Sequence, residues 1–141
     1  MNTQAVNKRI RLIMELRTQG ITDTDVLSAI ERVPRDYFVP AHSQDQAWEN
    51  IPLPIGLGQT ISQPYVVAFM SQALKISDRD KILEIGTGCG YQAAILAYLA
   101  RRVYSIERHK NLLKEAEHRF TQLKIRNITA IAADGMKGWP T

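Results

Sequence analysis

The sequence predicts an α/β protein built on a parallel sheet, of which three strands are present, with a helical extension ahead of it. Three observations carry that expectation. Between residues 81 and 132 short aliphatic runs alternate with helical stretches, the pattern of successive βαβ units. Three glycines at alternate positions, Gly86, Gly88 and Gly90, punctuate the passage from the first run to the helix after it. Upstream of residue 34 the apolar residues recur at helical spacing instead.

Taken in order, Val6, Ile10, Ile13 and Leu16 mark a first helix that Gly20 stops. Thr22 or Asp23 can cap a second helix carrying Val26, Leu27, Ile30 and Val33, which Pro34 closes. From 34 to 64, five prolines together with Gly56 and Gly58 break any period, yet Phe38, Trp48, Leu53 and Ile61 make the stretch too apolar for a linker. A long ordered loop is the expectation, and such loops usually carry function. Ser62 stands where it could cap a helix with Pro64 in its first turn, running through Phe69 to Leu74. Strands follow at 81–85, 103–106 and 128–132, separated by helices over 91–100 and 109–123, so the organisation reads as 1–80 (helices and loop) and 81–141 (sheet half).

Composition narrows the class. With 141 residues, 45% hydrophobic and 23% charged, the chain suits a globular domain and is too apolar for disorder. It holds no run near the ~18 apolar residues of a membrane span, and its start, MNTQAVNKRI, lacks a secretory apolar core. One cysteine, Cys89, fits a reducing, cytoplasmic setting. The net charge of +4 concentrates in residues 101–126, eight basic against three acidic. No aromatics interleave with them as a single-strand nucleic-acid surface would want, so they read as the solvated face of a helix. Neither nucleic acid nor membrane is an expected partner, and a monomer is expected.

The chemistry concentrates at the strand ends. A dinucleotide fingerprint would need glycine at 91, where Tyr91 stands, and Glu84 two residues before Gly86 would repel a diphosphate. A ligand bearing a cation and no phosphate suits the turn better. Glu107, 21 residues after Gly86, ends the second strand where a doubly wound fold offers a carboxylate to ribose hydroxyls. Asp134, followed by Gly135, ends the third strand within reach of an adenine amino group. An amino-acid cation near Glu84, Gly86, Thr87, Gly88 and Gly90, a ribose at Glu107 and an adenine at Asp134 together outline S-adenosyl-L-methionine.

Three runs then become specific: Pro52-Leu53-Pro54-Ile55-Gly56-Leu57-Gly58-Gln59-Thr60-Ile61-Ser62-Gln63-Pro64, the stretch Leu83 to Ala94 around the glycine turn, and Val103 to Glu107. With Val33-Pro34-Arg35, Phe38-Val39-Pro40 and Gly138-Trp139-Pro140 they closely resemble the protein-L-isoaspartate O-methyltransferase family over essentially the whole chain. The resemblance implies a Rossmann-like S-adenosylmethionine-dependent methyltransferase fold. It implies methyl transfer to the free α-carboxyl of L-isoaspartyl residues in damaged proteins and peptides, a protein-repair reaction. It assigns a catalytic role to Ser62, whose hydroxyl would hydrogen-bond the substrate carboxylate. Gln59, Thr60 and Ile61 would flank cofactor and substrate, with Ile55 lining the peptide groove. Cys89 stands where serine is common in such proteins and Ala133 where glycine is, while Trp48 and Trp139 read as packing residues. No metal is called for, and His42, His109 and His118 are too scattered to form an acid/base set.

Sheets of this kind have seven strands, and residues 81–132 supply three. The expectation is an amino-terminal part of such an enzyme, its first strand unpaired on one side. Two competing expectations are a non-catalytic cofactor-binding fragment and a methyltransferase acting on another substrate.

Overall fold

The computed structural model describes residues 3–140 and divides into two compact units, 1–75 and 76–141.

In the first unit, α1 (Thr3–Thr18) and α2 (Thr24–Arg32) form a helical pair. Asp23 caps α2, its carboxylate accepting from the amides of Asp25 and Val26. The buried stripe of α1 is Leu12 and Leu16, whereas Ile10, expected on that stripe, is 49% exposed. Two short 3-10 turns, Arg35–Phe38 and Ala41–Gln46, lead into a hairpin of β1 (Leu53–Gly56) and β2 (Gln59–Ile61). The hairpin replaces part of the expected loop. Pro54 tolerates its strand because the ladder is irregular beside it, with a register shift between Pro54 and Gly56. The helix α3 (Pro64–Ala73) follows. Its Gln72 side chain accepts from the amides of Thr22 and Asp23 at 2.8 and 2.9 Å, fastening α3 to the α1–α2 junction.

Ser62 does not cap α3. The cap residue is Gln63, with no side-chain bond to the helix, and Pro64 at the first position has no amide to satisfy. The first-turn amide of Tyr65 instead donates 2.9 Å to Oδ1 of Asn50 from a distant segment.

The second unit is a parallel sheet in the order β3 (Lys81–Ile85), β4 (Arg102–Glu107), β5 (Ile128–Ala132), with crossover helices α4 (Tyr91–Leu99) and α5 (Lys110–Gln122). Glu84 registers with Ser105 and Ser105 with Ala130, which puts the polar pair side by side on one face. The core gathers Ala93, Ile95, Val103, Ile106, Ala116 and Phe120, all at most 5% exposed. Among the described strands β3 pairs only with β4, and its Leu83 and Ile85 are half-exposed. The basic stretch is only partly a solvated face: Arg119 donates to the Cys89 carbonyl at 3.1 Å, and Arg102 lies over Tyr104 and bonds Thr129.

Candidate cofactor and substrate site

Of the residues expected at the cofactor, those from Glu84 to Gly135 fall together at the carboxyl ends of β3, β4 and β5, whereas Gln59, Thr60 and Ile61 belong to the first unit. After Ile85 the chain continues the ladder for one more step, the amides of Gly86 and Thr87 both donating to the Ile106 carbonyl. It then turns through Gly86, Gly88 and Gly90, with φ of 91°, 56° and 98°. Gly90 is the cap residue of α4, and a Cβ there would lie 2.7 Å from the Phe120 ring, so glycine is required both by its dihedral and by the packing of α5. At Gly86 a Cβ would meet no atom within 4 Å: the main chain there is bare toward open space.

Glu107 is pinned by two amides, Gly88 to Oε1 and His109 to Oε2, each at 2.8 Å. One carboxylate therefore joins the glycine turn to the end of β4. A carboxylate offers about four lone-pair directions, so two remain for a pair of hydroxyl donors. Asp134 caps the 3-10 turn Gly135–Lys137 through one oxygen, accepting from Met136 at 3.0 Å, and its side chain is exposed. A Cβ on Gly135 would come within 2.3 Å of Ile85, which accounts for glycine after Asp134.

Glu84 is expected beside a ligand cation; its carboxyl is turned onto Ser105, whose hydroxyl donates to it at 2.5 Å, and Ser105 in turn lies 2.6 Å from the Thr87 hydroxyl, Glu84 and Glu107 both being buried at 9% and 5% exposure. Burial pushes the Glu84 carboxyl up from its usual 4.5 to about 7, the Ser105 bond working against that rise and the neighbouring Glu107 charge adding to it. Thr87 and Glu84 thus serve the turn from beneath, through Ser105. Ser105 went unrecognised in the sequence reading, and its signal was a hydroxyl inside an otherwise apolar strand, opposite Glu84 once the parallel register is drawn.

The expected substrate residues Ile55, Thr60 and Ser62 and the expected cofactor residues Gln59, Thr60 and Ile61 lie on or directly after the β1–β2 hairpin of the first unit. Thr60 and Ser62 are exposed, Ile55 and Gln59 half-buried. Ile61 is 2% exposed, so its side chain belongs to the core and only its main chain is left to flank a ligand. Cys89 is buried as a small packing residue. Trp139 stacks edge-on against Tyr104 at 4.9 Å, and Trp48 lies under the Arg9 guanidinium at 4.2 Å, both in packing roles. Among the described residues no cluster of His, Cys, Asp and Glu could hold a metal.

The family model described as protein-L-isoaspartate(D-aspartate) O-methyltransferase matches residues 7–141. The chain belongs to that family. It is 65% identical over 131 residues to protein-L-isoaspartate O-methyltransferase of Paramagnetospirillum magneticum, covering 93% of this chain and 61% of that protein, and 62% identical to the Rhodospirillum rubrum protein of the same name, covering 95% and 62%. The chain therefore spans about three-fifths of the length of these relatives. A solved protein-L-isoaspartate O-methyltransferase superposes with a TM-score of 0.85 at 27% identity, over 94% of this chain and 44% of that one. A Plasmodium falciparum structure in complex with S-adenosyl-L-homocysteine superposes with a TM-score of 0.74 at 24% identity, over 87% and 62%, which bears on the fold. The family's fold is thus the S-adenosylmethionine-dependent methyltransferase fold, here with three parallel strands and helices at the amino terminus.

Proposed function

We propose that the chain carries the cofactor-facing and carboxylate-binding parts of an enzyme that transfers a methyl group from S-adenosyl-L-methionine to the free α-carboxyl of L-isoaspartyl residues in damaged proteins and peptides. The observation that carries this reading is the arrangement at the ends of β3 and β4 in a chain matching the family from residue 7 onward: Glu107 held by the Gly88 and His109 amides, beside main chain at Gly86 that is bare toward open space. That arrangement fits a cofactor with a diol and an amino-acid end. Glu107 would hold the ribose hydroxyls, Asp134 and Gly135 the adenine, and Gly86, Thr87, Gly88 and Gly90 the amino-acid end, with Gln59 and Thr60 at the hairpin.

When bound, the cofactor supplies an electrophilic methyl group on a sulfonium. The chain's own task is to orient. An isoaspartyl α-carboxyl, with a pKa near ~3.5, is ionised at neutral pH and already nucleophilic, so no general base is required. Ser62, exposed and free of capping duty, would donate its hydroxyl to one carboxylate oxygen, while Ile55 and Thr60 line the approach of the peptide. Holding two reactants in line can contribute roughly 7 kcal/mol or more. A cytoplasmic location and a monomeric state belong to the same reading; among the described residues no helix is long and apolar enough to cross a membrane.

A second reading, cofactor binding without turnover, is favoured by one observation: β3 has a single hydrogen-bonded neighbour and leaves Leu83 and Ile85 half-exposed. The deciding experiment incubates the chain with methyl-labelled S-adenosylmethionine and an isoaspartyl peptide, with its aspartyl twin as control. Label on the isoaspartyl peptide alone is the expected result. Equal labelling of both peptides sinks the substrate assignment, and calorimetric binding of the cofactor without any transfer establishes the second reading.

A further inference from the structure

Among the described residues Arg35 is the largest fully buried side chain, at 0% exposure. Its place is the first residue of a 3-10 turn directly after Pro34. Placing a guanidinium out of water is costly unless its donors are met, and here both Nη groups donate to main chain. Nη1 donates to the carbonyls of Ala47 at 2.6 Å and Glu49 at 3.2 Å. Nη2 donates to Ile51 at 2.7 Å and Ser62 at 3.2 Å.

The second pair of contacts carries the argument. Ile51 and Ser62 stand just outside the hairpin, one before Leu53 and the other immediately after Ile61. A single nitrogen therefore ties off both ends of the β1–β2 hairpin at its base. Apart from the burial of Leu53 and Ile61 that hairpin is weakly built: its strands are four and three residues long, its ladder is irregular, and its tip runs through positive φ at Gly56, Leu57 and Gly58. Asn50, next to Ile51, then takes the Tyr65 amide that Ser62 would otherwise cap. The Ser62 main chain is held by Arg35, and the capping duty that would occupy its hydroxyl has passed to Asn50.

We propose that Arg35 is a positioning residue for methyl transfer: by clamping the Ile51 and Ser62 carbonyls it fixes the orientation in which the Ser62 hydroxyl meets the substrate carboxylate. This rests on the reading of Ser62 given above. A lysine keeps the charge but has one compact donor centre in place of a rigid fork, so it cannot serve the two carbonyl pairs together.

The test uses this chain with Arg35→Lys and the neutral Arg35→Gln, each measured in two ways. Amide hydrogen exchange should show residues 47–62 losing protection at least ~10-fold while α1 and α2 exchange as in wild type, a local opening confined to the clamped segment. Transfer to the isoaspartyl peptide should fall about 100-fold in kcat, the loss expected from a misplacement of about 1 Å, with KM for S-adenosylmethionine moving far less, since of its proposed contacts only Gln59 and Thr60 lie on the hairpin. Wild-type transfer rates in Arg35→Lys overturn the proposal. So does an unchanged exchange pattern, and so does a uniform loss of protection through α1 and α2, which would make Arg35 a general core residue. If the wild-type chain itself transfers nothing, the proposed function falls, and the exchange pattern alone decides whether Arg35 sets the hairpin.

Discussion

Replacing Glu84 by glutamine should make the protein more stable at neutral pH and change little at pH 5. The carboxyl is 9% exposed, and its pKa rises from 4.5 to about 7 because burial disfavours the anion, with the Glu107 charge reinforcing the effect. The folded state thus holds this proton more tightly than the unfolded chain. Its contribution is fully present below pH 4.5 and is lost as pH rises through about 7. At about 1.4 kcal/mol for each pH unit between the two pKa values, ionising Glu84 in the fold costs about 3 kcal/mol, a large share of a typical ~5–15 kcal/mol stability. Glutamine has a similar shape and keeps an acceptor for Ser105 while removing the charge. Urea unfolding of wild type and Glu84→Gln, measured in steps from pH 5 to 8, should give a stability difference under about 1 kcal/mol at the acid end that grows to about 3 kcal/mol in favour of the variant. Groups common to both chains cancel in that difference. A difference that stays flat across the range, or one that moves toward wild type as pH rises, refutes the assignment of Glu84 as a buried acid and with it the view that the glycine turn is supported from beneath.

Three further outcomes are expected. Ser62→Ala should lower methyl transfer about 100-fold while shifting unfolding by less than ~0.5 kcal/mol, since the hydroxyl caps nothing; an equal loss in stability, read by urea titration, would return Ser62 to a structural role. Gly90→Ala should cost about 2–4 kcal/mol and weaken cofactor binding measured by calorimetry, because a Cβ there meets Phe120 at 2.7 Å and the backbone sits at φ 98°; wild-type stability in this variant would contradict the packing of α4 on α5. Leu57→Asn should stabilise the protein by about 1 kcal/mol in the same titration, since Leu57 is 59% exposed yet held at φ 53° in the hairpin turn; a loss of stability would mean that its side chain packs where the structure leaves it in solvent.

The parts of the site that were legible in the sequence are those whose chemistry depends on chain-local spacing. Glycines at 86, 88 and 90 between an aliphatic run and an Ala/Leu-rich stretch permit few structures other than a strand-turn-helix, and Glu107 at the next strand end follows from the βαβ period. The hairpin at 53–61 was illegible for the opposite reason: Pro54 argues against a strand and Leu57 against a tight turn, and both are tolerated only because the ladder slips beside Pro54 and Gly56 and Gly58 flank the tip. Of the two roles the sequence offers Ser62, capping looks like a local property, yet the Tyr65 amide is satisfied by Asn50, 15 residues away. The face that Glu84 takes is not visible from its sequence neighbours, strand residues on either face, and only the register with Ser105 shows it. In both cases the hydrogen bond that decides a polar group's role comes from far along the chain: Ser105 takes the Glu84 carboxyl, while Glu107 is held by the Gly88 and His109 amides, and Asn50 takes the Tyr65 amide, which leaves the Ser62 hydroxyl without capping duty and open to the role proposed for it.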